Sequence, residues 1–320
     1  ANFSTSFFIG RDLIFTSNAD NKTEMIFNSS SYLNIKRNII RGATPYGILT
    51  FSGSSTLIFN GNVSDQIFPA SAGAGGDIFT YNNVTINNTS GFSPSLIMGG
   101  AATINKTLTL TRGRVLSTAA NIPIMNSNAS TTIGNSTSYV DGPMNYIVAS
   151  SGASTINFPI GKSTDWRPAV LTINHNGAAA YTYTTELFNS SATALGYSLP
   201  PTVDRVSGVH YWQIDRSSSA NLNFAEVRLY YDSNDGVTDY TDLTVVKNTS
   251  DAPTEWTDIG GTATANNTGN ITSGIFTSFS RFTFANRVGG SNPLPIDLLS
   301  FDAYQNKTHV DIKWVVAKFS

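Results

Sequence analysis

No cysteine occurs in the 320 residues. Disulfides are therefore excluded as a source of stability, and thiols as nucleophiles or metal ligands. The fold has to be held by its core and its backbone ladders, which a large β-structure can do. Charge is almost as scarce: charged residues make up 12% of the chain, with a net charge of -2. Nucleic-acid binding needs a basic footprint, and electrostatic membrane binding needs a Lys/Arg cluster; the chain offers neither. No run of eighteen apolar residues is found, so no membrane-spanning helix is expected. No signal peptide is found either, and the opening Ala1-Asn2-Phe3 reads as that of a mature form whose leader has been removed.

Asn, Ser, Thr and Gly fill the place of charge. They disfavour helices, because Ser, Thr and Asn compete for backbone hydrogen bonds, and they suit extracellular all-β proteins. Fifteen Asn-x-Ser/Thr sequons occur. The glycosylation candidates are Asn21, Asn28, Asn62, Asn83, Asn88, Asn105, Asn128, Asn135, Asn189, Asn248, Asn266, Asn270 and Asn306. Two readings stand side by side: Asn-rich turns beside Thr-rich strands make sequons by accident, or the outer surface carries glycans.

Up to about residue 140, short apolar strands recur between small-residue turns and no helical period is found. Examples are Glu24-Met25-Ile26-Phe27, Gly47-Ile48-Leu49-Thr50-Phe51, Thr56-Leu57-Ile58-Phe59 and Thr107-Leu108-Thr109-Leu110. A sandwich or a solenoid produces this rhythm. Very short, uncharged, Asn-flanked strands repeating at about twenty residues favour a parallel β-solenoid over residues 1–140. From 141 to about 290 the strands lengthen and alternate, as in Tyr181-Thr182-Tyr183-Thr184-Thr185-Glu186-Leu187 and Ala225-Glu226-Val227-Arg228-Leu229-Tyr230-Tyr231. That predicts an antiparallel β-sandwich. Gly289-Gly290-Ser291-Asn292-Pro293 reads as a linker.

The last thirty residues read as the opening of a further domain: two strands, too few to be stable alone. Val310, Ile312, Trp314 and Val316 share one face of the second strand, with His309, Asp311 and Lys313 on the other. In the first strand, Ile296 and Leu298 point one way and Leu299 and Phe301 the other, as in a bulged or doubly buried strand. These eight apolar residues are the candidate subunit contact.

Several segments together resemble the large secreted surface proteins of Bacteroidetes-type bacteria exported by the type IX system. Tyr81-Asn82-Asn83-Val84-Thr85-Ile86-Asn87-Asn88 and Leu108-Thr109-Leu110-Thr111-Arg112-Gly113-Arg114-Val115 are similar to their solenoid coils. Tyr139-Val140-Asp141-Gly142-Pro143-Met144 is similar to their domain junction, and Tyr211-Trp212-Gln213-Ile214-Asp215-Arg216 to their sandwich. Pro293-Leu294-Pro295-Ile296-Asp297-Leu298-Leu299-Ser300-Phe301 resembles the segment that starts a further immunoglobulin-like domain. The resemblance implies a secreted, cell-surface protein.

Catalytic chemistry is hard to find. His175, His210 and His309 share no ligand spacing, and no Gly-x-Ser-x-Gly elbow is present. The carboxylates of the first part, Asp12, Asp20, Glu24, Asp65 and Asp77, read as solvated turn residues. Asp232, Asn234, Asp235 and Asp239 surround a glycine turn and are a weak calcium candidate, the one cofactor considered; the same Asp-Gly also suits a plain strand turn. Trp212 reads as core, and Trp256 as a surface residue able to stack on sugar.

The expectation is an all-β chain: solenoid, sandwich and C-terminal strand pair. Its function is expected to be non-enzymatic, structural or adhesive, with self-assembly into a homo-oligomer or fibre by strand donation from the tail. The alternative is a carbohydrate-binding or carbohydrate-cleaving module of a larger surface protein, contacting surface glycans.

Overall fold

The computed structural model describes residues 2–15, 23–41, 47–73, 76, 78–91, 93–248, 254–294, 298–306 and 309–316, with the side-chain surroundings of 298–301, 306 and 314–316 left aside. It is all-β and opens with a parallel solenoid of about six turns. Each early coil supplies three short strands, as in Thr23–Phe27, Tyr32–Ile35 and Ile39–Arg41. The next coil repeats them as Gly47–Phe51, Thr56–Phe59 and Gln66–Phe68.

Register makes the coil visible. Phe3 pairs with Phe27 and Phe27 with Phe51, so one coil is 24 residues, longer than the expected spacing of about twenty. Leu33 pairs with Leu57, Leu57 with Val84 and Val84 with Leu108, all at 0–2% exposure. Alternation along each strand sends these side chains inward and their polar neighbours outward. Stacking of equivalent positions then builds an aromatic ladder: the Phe27 and Phe51 rings are parallel at 5.0 Å, and Tyr81 follows Phe51 at 6.4 Å.

The parallel ladder continues past residue 140. Val140–Asp141 pairs in parallel with Ile160–Lys162, and Met144–Val148 pairs in parallel with Pro123–Met125. The other edge of Met144–Val148 pairs antiparallel with Tyr181–Phe188, so this strand is where the solenoid pattern ends. The first compact unit accordingly comprises Ala1–Glu186 with Arg216–Asn223, and the expected division at 140 falls inside it.

The second unit, Leu187–Asp215 with Phe224–Ser320, is sandwich-like. Arg281–Arg287 is its central strand, pairing antiparallel with Val203–Val206, with part of Tyr211–Arg216 and with Leu243–Asn248. Leu222–Tyr231 and Gly269–Thr272 pair in a second sheet. Trp212, Phe282, Phe284, Val245 and Leu229 are each at 0–1% exposure. Trp212 meets the Phe284 ring edge-on at 5.0 Å, and Tyr231 reaches the same ring from the second sheet at 5.7 Å. Trp212 is therefore core, as its alternating strand implies.

Asn292, read as part of a linker, is at 0% exposure, and Leu294 just beyond that linker is at 1%. Beyond them Leu298–Asn306 and His309–Val316 form an antiparallel pair with a bulge between Leu298 and Ser300.

Candidate functional site

The C-terminal strand pair is the first candidate. Its register sets Gln305 opposite Val310, Ala303 opposite Ile312 and Phe301 opposite Trp314. Directly opposed residues share a face, so Val310, Ile312, Trp314 and Phe301 occupy positions on one side of the pair. Val310 is 58% and Ile312 53% exposed. Leu298, Leu299 and Val316 hold strand positions in the same pair, and the bulge falls at Leu299. Ile296 lies outside the described residues. Among those residues the two strands pair only with each other.

The calcium-candidate residues are engaged in local hydrogen bonds. Asp232 accepts the Asn234 N–H at 2.8 Å, and Asp235 Oδ2 accepts the Asp232 N–H at 2.7 Å, closing a reciprocal cap on a short helical turn. Asp235 is buried, with Oδ1 3.2 Å from His210 Nε2. Asp239 accepts the Thr241 hydroxyl at 2.7 Å and its N–H at 2.9 Å, bonds that hold its carboxyl below the usual range. The carboxylates thus serve separate turns. No group of three or more His, Asp or Glu placed to hold a metal occurs among the described residues.

The sequons divide by burial. Asn62, Asn128, Asn189 and Asn266 are exposed, whereas Asn88 and Asn248 are at 0% exposure. Asn88 Nδ2 donates to Val63 O and Gln66 Oε1 at 3.0 Å, and Asn248 Nδ2 donates to Glu255 O at 3.3 Å. A glycan is attached through that nitrogen, so these two are not acceptors in the folded chain. Asn83 and Asn135 also spend their amides on carbonyls of the preceding coil, Ser55 O and Thr111 O. Asn28 Oδ1 accepts from Ser52, and Asn105 Oδ1 from Asn126 of the next coil. Coil-to-coil bonding therefore accounts for much of the asparagine. Asn270 is partly buried, Asn306 ends a strand, and Asn21 lies outside the described residues.

Trp256 is corrected from surface to core. At 2% exposure it joins Val203, Val206, Tyr211 and Val246, and its ring lies 5.1 Å from Tyr197. No sugar can stack on it.

Three polar clusters were not apparent from the sequence. In the first unit, His175 Nδ1 lies 3.2 Å from Ser150 O and Nε2 lies 2.6 Å from the Tyr183 hydroxyl, which accepts from Arg216 Nε at 2.8 Å. Arg216 also sits 3.9 Å over the Tyr181 ring. Burial lowers the His175 pKa and lifts the Tyr183 hydroxyl to about 12. A neutral imidazole satisfies every bond: Nδ1–H donates to the carbonyl, and Nε2 accepts from the tyrosine. The second cluster is the buried His210–Asp235 contact already described, in the second unit. In the third, Lys162 Nζ lies 3.6 Å from both Asp141 and Glu186, and Arg114 Nη1 lies 3.3 Å from Asp141. The two carboxylates are thus no further apart than twice 3.6 Å, a spacing compatible with glycoside hydrolysis. The Lys162 ammonium is shared by both carboxylates. Burial raises the Glu186 pKa and Lys162 opposes the rise, as in a structural ion-pair cluster.

A groove of about 550 Å³ flanks the solenoid strands Ile39–Arg41 and Gln66–Phe68, lined by Ile39, Ile40, Ile67, Pro69 and Ala70. Arg41, the titratable residue on its wall, stacks 4.1 Å over Phe79 and donates to Ala70 O. That groove is mainly apolar and carries no acid–base pair among the described residues.

Comparison of the chain with protein-family models, with curated proteins and with solved structures finds no match.

Proposed function

We propose that this chain is a non-enzymatic structural or adhesive protein of the bacterial surface, secreted by the type IX route, and that it works by contact through its C-terminal strand pair. The observation carrying the reading is the exposed apolar face marked by Val310 and Ile312 on a ladder whose outer edges are unpaired among the described residues. An isolated two-stranded pair is marginal in water. Covering a Val or Ile side chain is worth about 1.5–3 kcal/mol, so a partner strand that closes this face stabilises both partners. The partner is a second copy of the chain, and repetition of the contact builds a fibre.

Removing residues 295–320 tests the proposal, because it keeps buried Asn292 and Leu294 in place. The intact chain should form assemblies visible by electron microscopy and sedimentation, and the truncated chain should stay monomeric at the same concentration. Assemblies that persist in the truncated chain would end the strand-donation reading.

A second reading, carbohydrate binding, draws on the grooves of the solenoid. Cleavage is the weaker half of it, given that Asp141 and Glu186 are both ion-paired to Lys162. A glycan array separates binding from self-assembly, and a polysaccharide digestion screen tests cleavage.

A further inference from the structure

A pocket of about 190 Å³ opens at a corner of the solenoid, walled by Thr89, Arg112, Gly113, Arg114, Thr137 and Tyr139. Three successive turns build it. The Asn88 N–H donates to Arg112 O at 2.9 Å, and the Gly113 N–H donates to Thr137 O at 2.8 Å, which stacks the turns in register. Gly113 holds φ at +104°, and a Cβ there would lie 3.0 Å from Asn88 O. Only a residue without a side chain turns the chain this tightly, and the turn brings Arg112 and Arg114 to one pocket.

The donors and acceptors on the wall are sorted. Arg114 Nη1 is held by Asp141 Oδ2 at 3.3 Å and donates to Ser163 O, which anchors that side chain and compensates its charge. Arg112 is exposed, and its guanidinium has no ion pair or hydrogen bond among the described residues. No carboxylate lines the pocket among the described residues. The Thr137 hydroxyl donates to Asn135 Oδ1 at 2.7 Å and the Thr89 hydroxyl to Gly61 O at 3.3 Å. Both hydroxyl hydrogens are engaged, so the two oxygens are left as acceptors. A guanidinium offers donors only, in a fork that matches a carboxylate.

A ligand that fits presents a carboxylate to Arg112 and hydroxyl hydrogens to Thr89 and Thr137. We propose that this corner binds a uronate, a sugar ring carrying both groups. The volume is below the roughly 300–1,000 Å³ of sites for drug-sized ligands, so one ring is held rather than a chain. The site uses no residue of the C-terminal strand pair.

The test is calorimetric titration of the full chain with glucuronate and galacturonate, against galactose and acetate as controls. At least one uronate should bind at about millimolar affinity, with both controls at least about tenfold weaker. Arg112→Gln should weaken uronate binding by about tenfold or more while leaving the melting temperature unchanged. Thr137→Val should weaken it without creating acetate binding. The proposal is overturned if neither uronate binds, if acetate binds as well as the uronates, or if Arg112→Gln leaves the affinity intact.

Discussion

Asn292 and Asp239 are joined twice: Asn292 Oδ1 accepts the Asp239 N–H at 2.7 Å, and Asn292 Nδ2 donates to Asp239 O at 2.8 Å. The same Oδ1 accepts the Thr238 N–H at 2.8 Å. One side chain thus replaces a strand neighbour for the turn that follows Gly236. It also fixes the point at which the chain leaves the sandwich-like unit for the C-terminal strand pair.

Asn292→Ala removes these bonds to partly buried backbone groups of Thr238 and Asp239. A hydrogen bond contributes about 0.5–1.5 kcal/mol net, so a loss of about 1–3 kcal/mol is expected. Urea unfolding followed by tryptophan fluorescence reports it; a loss below about 0.5 kcal/mol would show that water replaces the amide.

Asn88 is expected to stay unmodified in a glycosylating host, while exposed Asn62 is open to modification. Peptide mass spectrometry separates them. Asn88→Ala should also destabilise the solenoid by about 1–3 kcal/mol, because Val63 O, Gln66 Oε1 and Ser95 O all lose their shared donor. Asn62→Gln should be neutral.

His175 makes stability depend on pH in one direction. Its folded pKa lies below the ordinary 6.5, chiefly through burial. The unfolded chain therefore takes up the proton first as pH falls. The contribution is complete above pH 6.5 and declines as pH drops below 6.5 toward the lowered folded value. Melting temperatures from pH 8 to 5 should fall over that window, and His175→Gln should flatten the fall. An unchanged slope in the variant would assign it to other groups.

Phe51 lies between Phe27 and Tyr81 in the solenoid ladder, at 0% exposure. Phe51→Ala should cost about 3–5 kcal/mol, the range for emptying a buried phenylalanine site. Denaturant midpoints measure it. A cost below about 1 kcal/mol would mean that neighbouring coils collapse into the space.

Calcium at millimolar concentration should leave the melting temperature unchanged, because Asp232, Asp235 and Asp239 already accept hydrogen bonds from separate turns. A rise that depends on calcium concentration would establish the site, since a ligand bound only by the folded state must stabilise it.

The elements that local pattern controls were legible in advance. Alternation sends Leu33 and Ile35, or Leu57 and Phe59, to the same side of a strand whatever lies beyond it. The bulge at Leu299 follows from the break in alternation between Leu298 and Phe301. Trp256 was misplaced because its polar flank, Thr254-Glu255, says nothing of Tyr197, which reaches it from far along the chain. The coil length was underestimated because Leu57 and Val84, although paired, are 27 positions apart, while Leu33 and Leu57 are 24 apart. Irregular turns hide such a repeat from a fixed period.

By itself the sequence determined the class of the fold: no cysteine, little charge, and period-two apolar strands punctuated by Asn and Gly leave ladders and a dry core as the means of stability. Only the tertiary structure decided which polar groups meet. His210 and Asp235, Asn292 and Asp239, and Lys162 with Asp141 and Glu186 are brought together by strand pairing and coil stacking across long stretches of chain. Burial then makes each encounter matter, because a polar group removed from water must find its partner inside the fold.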